Sequence, residues 1–161
     1  MPESTTMTKL KKTEFIPFID VSGTGSNTWK RVDRSTIFSL NPNPQTETQD
    51  YISTEIPVEE VMYYNPEIEQ EIAIYEGNPV YDFMFQMIYD LPVGDKCIIP
   101  VLMCYGGTGK KAWKCDATIV LGELNTVDGK LSFTINFGGD IQRGTYAITD
   151  GSPTFTPATG K

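Results

Sequence analysis

The sequence predicts a mainly β protein: an antiparallel β-sandwich or barrel with one flanking α-helix at about residues 79–91. Three observations lead to this fold class. Polar and apolar residues alternate along 113–121 and 131–137, glycine-containing turns separate the apolar segments, and only one segment has the composition and end signals of a helix. A chain of 161 residues suits one such domain.

The two alternating segments predict strands that each have one hydrated face. Asp128 and Gly129 lie between them and suit a tight hairpin turn, because glycine tolerates the positive φ that such turns require. The two strands should therefore be antiparallel neighbours.

Three further segments also predict strands. Residues 98–105 are apolar on both faces, which is typical of a strand covered on both sides, although Pro100 indicates an edge or a bulge. Residues 29–40 and the segment around 146–148 predict the other two.

The helix has clear ends. Asn78 is a good N-cap, Pro79 suits the first helical position, and Pro92 with Gly94 ends the helix. Apolar side chains cover nearly all of its surface apart from a thin polar stripe of Asp82, Gln86 and Asp90. The helix is therefore either sunk deep in the core of the monomer or covered on its second apolar side by a neighbouring subunit.

Composition divides the chain into a flexible N-terminal arm at 1–13, a single domain at 14–150 and a C-terminal arm at 151–161. No signal-peptide core is recognisable, and the longest apolar run, 97–105, is too short to cross a bilayer. We expect synthesis in the cytoplasm and no membrane insertion.

The composition also argues against several activities. A net charge of −8 opposes tight nucleic-acid binding, and the absence of histidine removes the commonest general base and metal ligand. The three cysteines include no Cys-x-x-Cys pair and are best explained as buried apolar side chains. We expect no metal, no cofactor and no enzymatic activity.

One glycine-rich segment, residues 106–111, only superficially matches a phosphate-binding loop. Cys104 stands where that motif requires glycine, and Lys111 stands where it requires Ser or Thr. A flexible hairpin loop is the simpler interpretation.

Charge is distributed unevenly along the chain. Residues 35–95 contain twelve acids and no Lys or Arg, whereas the rest of the chain has a net charge of +4. Within this block Glu67, Glu69 and Glu71 alternate with apolar residues, so a strand would place them on one face about 7 Å apart. Such a row of carboxylates must face bulk water, a water-filled channel or a cation.

Residues 41–52 predict a long, rather stiff excursion, because they contain two prolines, no glycine and mostly polar residues. The segment is either a mobile surface loop or an arm that reaches a second molecule.

A compact glycine-containing motif, Phe-Gly-Gly-Asp-Ile-Gln-Arg-Gly-Thr, occupies 137–145, followed by Asp-Gly at 150–151 and Thr-Phe-Thr at 154–156. Together with the strand at 29–32, the acidic strand near 64–66 and the single helix, this order of parts resembles the major tail tube proteins of long-tailed bacteriophages. That family shares its fold with the tubes of contractile tails and type VI secretion systems. The likeness spans about residues 14–155.

The resemblance implies a tail-tube-like fold and a structural subunit located in the tail of a virion. Six copies would form a ring, and stacked rings would form a tube whose acidic lumen conducts the DNA genome during ejection. The partners would be other copies of the chain and tail proteins such as the tape measure, distal and terminator proteins. DNA would pass without specific binding.

On this interpretation, three sets of residues have roles. The acids lining the lumen would be Glu67, Glu69 and Glu71. The lateral subunit contact would be formed by Tyr81, Phe85 and Tyr89. The ring-stacking loop would include Asn41, Pro42, Asn43, Pro44, Glu47 and Asp50.

The residues alone also leave a second function class open. This is a monomeric β-sandwich that acts as a binding or adhesion module, for carbohydrate for example. Trp29, Tyr105 and Trp113 would then be the stacking platforms.

Overall fold

The computed structural model describes residues 9–11, 14–22, 28–106 and 110–158, with the backbone alone at 36–38. These residues form eleven strands, one α-helix and a short 3₁₀ helix at Gly94–Cys97. The α-helix, α1, is Pro79–Asp90. The strands are β1 (Ile16–Asp20), β2 (Trp29–Arg31), β3 (Ser35–Asn41), β4 (Pro44–Gln49), β5 (Val58–Tyr64), β6 (Glu67–Ala73), β7 (Ile98–Cys104), β8 (Lys111–Asn125), β9 (Lys130–Phe137), β10 (Gln142–Thr149) and β11 (Ser152–Pro157).

Nine of these strands form one antiparallel sheet, in the order β2-β1-β7-β8-β9-β6-β3, with β10 paired to β8 and β11 paired to β10. The two ends of this order, β2 and β3, are consecutive in sequence and separated only by residues 32–34. The facing ends of these two strands are therefore at most about 15 Å apart, and the sheet must curl to bring them together. The mainly β, antiparallel fold with one helix agrees with the predicted fold class.

The curled sheet encloses the main core. Side chains such as Ile72, Val101 and Phe133 point inward, and Val32, from the link between the two sheet ends, is buried with them. The helix α1 packs on this core through Val80, Met84 and Met87. The helix thus buries one side against the monomer.

A smaller core lies on the opposite side of β1 and β7. Phe18 and Leu102 are buried there beneath Tyr146 and Phe155 of the β10–β11 hairpin. At Gly144 the two strands of this hairpin run so close that a Cβ would collide with the carbonyl oxygen of Thr156. The segment 152–157 is therefore a paired strand, which differs from the loose C-terminal arm that its composition predicts.

The predicted hairpin of β8 and β9 is confirmed. The two strands are antiparallel, and Gly129 closes the turn with a φ of +70°. Strand β7 is covered on both faces, as predicted, because Val101 and Met103 belong to the main core whereas Leu102 and Cys104 belong to the smaller core. Pro100 does not lie on an outer strand. The pairing of β7 with β1 begins at Val101, so Pro100, which has no N–H, lies where β7 is paired with β8 alone.

The helix ends are also confirmed. The side chain of Asn78 accepts a hydrogen bond from the backbone N–H of Val80 at 3.1 Å. Leu91 adopts a left-handed conformation with a φ of +49°, and its N–H donates to the carbonyl of Met87. In the described part of the chain, no helix is both long and apolar enough to cross a membrane.

Two predicted segments differ from the structure. The strand expected at 29–40 is split into β2 and β3, because the chain crosses between the sheet ends at 32–34, where Arg34 has a φ of +56°. The excursion expected at 41–52 is not a loop, because β4 pairs along its length with β5 in a separate two-stranded sheet. Most of the N-terminal arm and residues 107–109 of the glycine-rich segment lie outside the described residues.

Candidate functional site

Four strands, β3, β6, β9 and the second half of β8, present one open side, which we call the acidic face. In β6 the side chains alternate: Ile68 and Ile72 are fully buried, whereas Glu67, Glu69 and Glu71 lie on the other side of the strand. Glu69 is exposed, and the two flanking glutamates are half-buried. The period-2 pattern therefore places the three carboxylates in one row, as the sequence predicts.

Small neutral side chains flank this row. On β9, Asn136 is opposite Glu67, Thr134 is opposite Glu69, and Ser132 is opposite Glu71. Such short polar side chains leave the carboxylates accessible to water, which lowers the cost of placing three like charges together. The face is thus polar and hydrated, with a negative charge.

One cation lies at the end of the row. The Nζ atom of Lys130 is 3.1 Å from Oε1 of Glu71. Neither Glu67 nor Glu69 forms an ion pair within the described part of the chain. The negative charge is therefore concentrated toward the Glu67 end.

A shallow depression of about 490 Å³ adjoins this ion pair, lined by Glu71, Glu123, Asn125, Asp128, Lys130 and Ser132. The described residues contain no group of three His, Cys, Asp or Glu side chains arranged to hold a metal ion. The hydroxyl of Ser132 in this depression accepts a hydrogen bond from the backbone N–H of Glu123 at 2.8 Å.

The helix α1 carries a second apolar side that the monomer leaves uncovered. Tyr81 is half-buried, and its ring centroid lies 6.1 Å from that of Phe85. The exposed fraction is 44% for Phe85 and 76% for Tyr89. Of the two interpretations of the apolar helix, burial on all sides is therefore wrong, and an unpartnered aromatic strip remains.

The third feature is the hairpin of β4 and β5 with its connecting residues 50–57, which we call the acidic hairpin. It contains five acids and no base, and most of its side chains are exposed on both faces. Thr46 Oγ1 donates a hydrogen bond to Glu59 at 2.7 Å, and the hydroxyl of Tyr51 donates one to Glu60 at 2.8 Å. The bond to Glu60 raises the pKa of Tyr51 above its ordinary value.

Apolar side chains at the tip of the acidic hairpin are also exposed. Ile52 is fully exposed and Ile56 is 75% exposed. A projecting hairpin that offers both carboxylates and large apolar side chains to solvent is typical of an interaction surface. Of the predicted stacking residues, 41–44 lie at the base of the hairpin, Glu47 lies on β4, and Asp50 follows β4 at the tip.

The structure brings together one set of residues that the sequence analysis missed. Lys30, Arg31 and Arg34 line a cleft between the link from β2 to β3 and the start of α1. The sequence does contain a signal for this cluster, namely three cations within five residues. Their clustering with Tyr75 and Glu76, far away in sequence, depends on the crossing of the chain at 32–34.

The aromatic residues considered as stacking platforms serve in packing. The ring of Trp113 makes edge contacts with Tyr105 at 5.2 Å and with Phe137 at 5.9 Å between centroids. Trp29 packs against the smaller core, and Lys114 Nζ lies 6.0 Å from its ring. These contacts offer no support for a carbohydrate-binding platform.

No protein-family model and no curated protein matches this chain. Solved structures do match it. A chain from the tail of an empty GTA particle with C6 symmetry superposes with a TM-score of 0.61 at 8% identity, covering 83% of this chain and 97% of that one. A chain from the sheath/tube terminator of the extracellular contractile injection system PVC, in its extended state, gives a TM-score of 0.55 at 9% identity, covering 86% and 99%.

These likenesses define the class of fold. Both matched chains are almost entirely covered, and both come from tail or injection assemblies. The chain therefore has a tail-tube-like fold, as the sequence resemblance implies.

Proposed function

We propose that this chain is a structural subunit of a phage tail tube, in which six copies form a ring and stacked rings enclose a lumen that conducts DNA. The observation that carries this proposal is the acidic face: one open, hydrated side of four strands with a row of carboxylates and a single ion pair among the described residues. The tail-tube-like fold supports the same function.

The geometry of four strands suits a closed ring. Six copies would contribute about 24 strands, which at about 4.8 Å spacing give a circumference near 115 Å and a backbone diameter near 37 Å before tilt. A bore of this width admits duplex DNA together with a layer of water.

Both edges of the acidic face are open for a neighbour. Strand β3 pairs with β6 on one side, and the described residues supply no strand on its other side. Residues 119–125 of β8 pair with β9, while β7 begins only opposite Thr118. Unpaired edges of this kind bind another chain readily, so adjacent copies would continue the sheet around the ring.

The charge of the face explains how DNA would move through the bore. Phosphates are repelled by Glu67 and Glu69, whereas a basic wall would bind them through counterion release. The duplex would then slide along a hydrated surface without being held.

The remaining interfaces follow from the same arrangement. Tyr81, Phe85 and Tyr89 on α1 would form the lateral contact, where burial of two exposed rings stabilises the ring of subunits. The acidic hairpin would form the contact between rings.

The proposal is tested by incubating the purified protein at high concentration and examining it by negative-stain electron microscopy and light scattering. We expect rings or tubes of uniform diameter with a stain-filled bore. A particle that stays an 18.0 kDa monomer in both measurements, with and without a crowding polymer, would contradict the proposal.

A further inference from the structure

The acidic hairpin has a chemically matching surface elsewhere on the same chain. Lys30, Arg31 and Arg34 line a cleft of about 450 Å³, which we call the basic cleft. All three cations are exposed, and none forms an ion pair with a carboxylate of the described residues. Their charge is therefore available to another molecule.

The shape of the basic cleft suits carboxylates. The guanidinium carbon of Arg34 lies 4.4 Å from the centre of the Tyr75 ring, which holds the planar group against a flat surface. A guanidinium stacked in this way keeps its N–H groups directed outward, where they can bind a carboxylate with two hydrogen bonds.

The cleft is not uniformly basic, because Asp33 and Glu76 also line it. The Oδ1 atom of Asp33 is occupied by the backbone N–H of Arg34, at 2.9 Å. Three cations against two carboxylates still leave a positive balance, whereas the acidic hairpin carries five acids and no base. Charge complementarity therefore favours the hairpin as occupant.

The acidic hairpin and the basic cleft lie at opposite ends of the same strand pair. The hairpin leaves the sheet where Asn41 of β3 is paired with Glu67 of β6. The cleft lies at the other end, where Ser35 pairs with Ile72 and Arg34 comes just before β3. Six residues of strand separate these ends by about 20 Å.

This placement decides the kind of contact. The hairpin leaves the sheet at the end remote from the cleft, and no hydrogen bond or ion pair joins the two surfaces among the described residues, so a contact between them would join different copies. A contact between unlike surfaces at opposite ends of a molecule is head-to-tail and repeats along an axis. We propose that the acidic hairpin of one copy docks in the basic cleft of the next copy along the tube axis. The inference rests on the proposed function and names the receiving surface for ring stacking.

The tip of the hairpin supplies the binding groups. Glu59 and Glu60 are engaged by Thr46 and Tyr51 within the hairpin. Asp50 and Glu55, on either side of the exposed Ile52, make no hydrogen bond among the described residues and are available for the cations of the cleft.

A charge swap tests the contact. A cleft variant carries Arg31→Glu with Arg34→Glu, and a hairpin variant carries Asp50→Arg with Glu55→Arg. Each variant alone would place like charges together, so we expect single rings and at least a ten-fold loss of tubes that sediment. In an equal mixture, copies of the two variants that alternate along the axis again place opposite charges at the contact between each hairpin tip and the next cleft, and tubes should be restored.

A matched control reverses two exposed lysines outside the cleft, Lys96→Glu with Lys111→Glu, and should form tubes as the unaltered chain does. Circular dichroism should be used to check that each variant is folded. Normal tubes from the cleft variant alone would overturn the inference, and so would a mixture of the two variants that does not recover.

The two proposals fail in different ways. Tubes that form irrespective of the charge swaps would remove the docking contact and leave the tail-tube function intact. An unaltered chain that forms no rings would count against the function. In that case the docking contact is tested separately by sedimentation of the mixed variants. A heterodimer of the two variants needs only one hairpin and one cleft, so it should form without rings. Absence of this heterodimer would overturn the docking contact.

Discussion

Lys130 places its Nζ atom 3.1 Å from Oε1 of Glu71, at the end of the acidic face where β9 begins. Both side chains are partly exposed, so the pair contributes less than about 1 kcal/mol to stability. Its main effect is on the charge pattern, because it neutralises one end of the row and leaves Glu67 and Glu69 as the charged part.

If Glu67 and Glu69 line the lumen as proposed, replacing them should change the rate at which DNA passes through the tube. With Glu67→Lys and Glu69→Lys the subunit should still fold and form tubes, because Glu69 is exposed and the isoleucines beneath the row are unchanged. Lysines in the bore bind phosphates, so we expect DNA ejection from assembled particles to slow by about ten-fold or more.

The matched control is Glu67→Gln with Glu69→Gln, which removes the repulsion without adding attraction and should eject at nearly the normal rate. Ejection can be followed with a dye that fluoresces on released DNA. Unchanged ejection by the lysine variant would remove these residues from the lumen.

Substitutions at two neighbouring residues of α1 should distinguish an effect on assembly from an effect on stability. Met84 is fully buried, so Met84→Ala should lower the free energy of unfolding by about 2–5 kcal/mol. Phe85 is 44% exposed, so Phe85→Asp should leave most of the stability and abolish rings. Thermal melts and electron microscopy of both variants check this, and rings formed by Phe85→Asp would exclude the helix from the lateral contact.

The start of α1 depends on its cap. Asn78→Ala removes the acceptor for the N–H of Val80 and should cost about 0.5–2 kcal/mol of unfolding free energy. Asn78→Asp keeps a capping oxygen and should retain most of that stability. Denaturant unfolding of both variants makes the comparison, and equal losses would show that the cap contributes nothing.

Two buried thiols should make stability depend on alkaline pH. Burial raises the pKa of Cys104 and of Cys115 to about 12, against an ordinary value of 9.0. The unfolded chain therefore loses these protons first, and the free energy of unfolding falls as the pH rises from about 9 toward about 12.

Denaturant unfolding between about pH 8 and about pH 11 measures this slope. The double variant Cys104→Ala with Cys115→Ala should lose less stability over that interval than the unaltered chain, because lysines and tyrosines contribute equally to both. An identical slope would show that the thiols do not titrate during unfolding.

Local signals in the sequence predicted the parts of the fold that depend on neighbouring residues. The cap at Asn78, the turn at Gly129 and the alternation around Glu69 each act within a few residues, so their structural consequences follow directly from the chain. The row of carboxylates on β6 was found in this way.

Features that depend on distant segments were not predictable. The strand at 152–157 has a loop-like composition, and only its pairing with β10 and the contact of Phe155 with the smaller core make it a strand. The hairpin of β4 and β5 was missed because polar strands that project into solvent lack the apolar alternation used to recognise them. Arg34 and Tyr75 meet in the basic cleft only because the sheet curls.

The order of the strands also has a consequence for synthesis. Strand β1 pairs with β7, and β6 pairs with β9, so the sheet is built from segments far apart in the chain. Pairings of this kind form slowly, and Ile68 and Ile72 have no complete cover until β9 has left the ribosome. A prematurely terminated chain that lacks β9 to β11 could not finish the sheet, and the inward side chains of β6 would remain exposed to solvent.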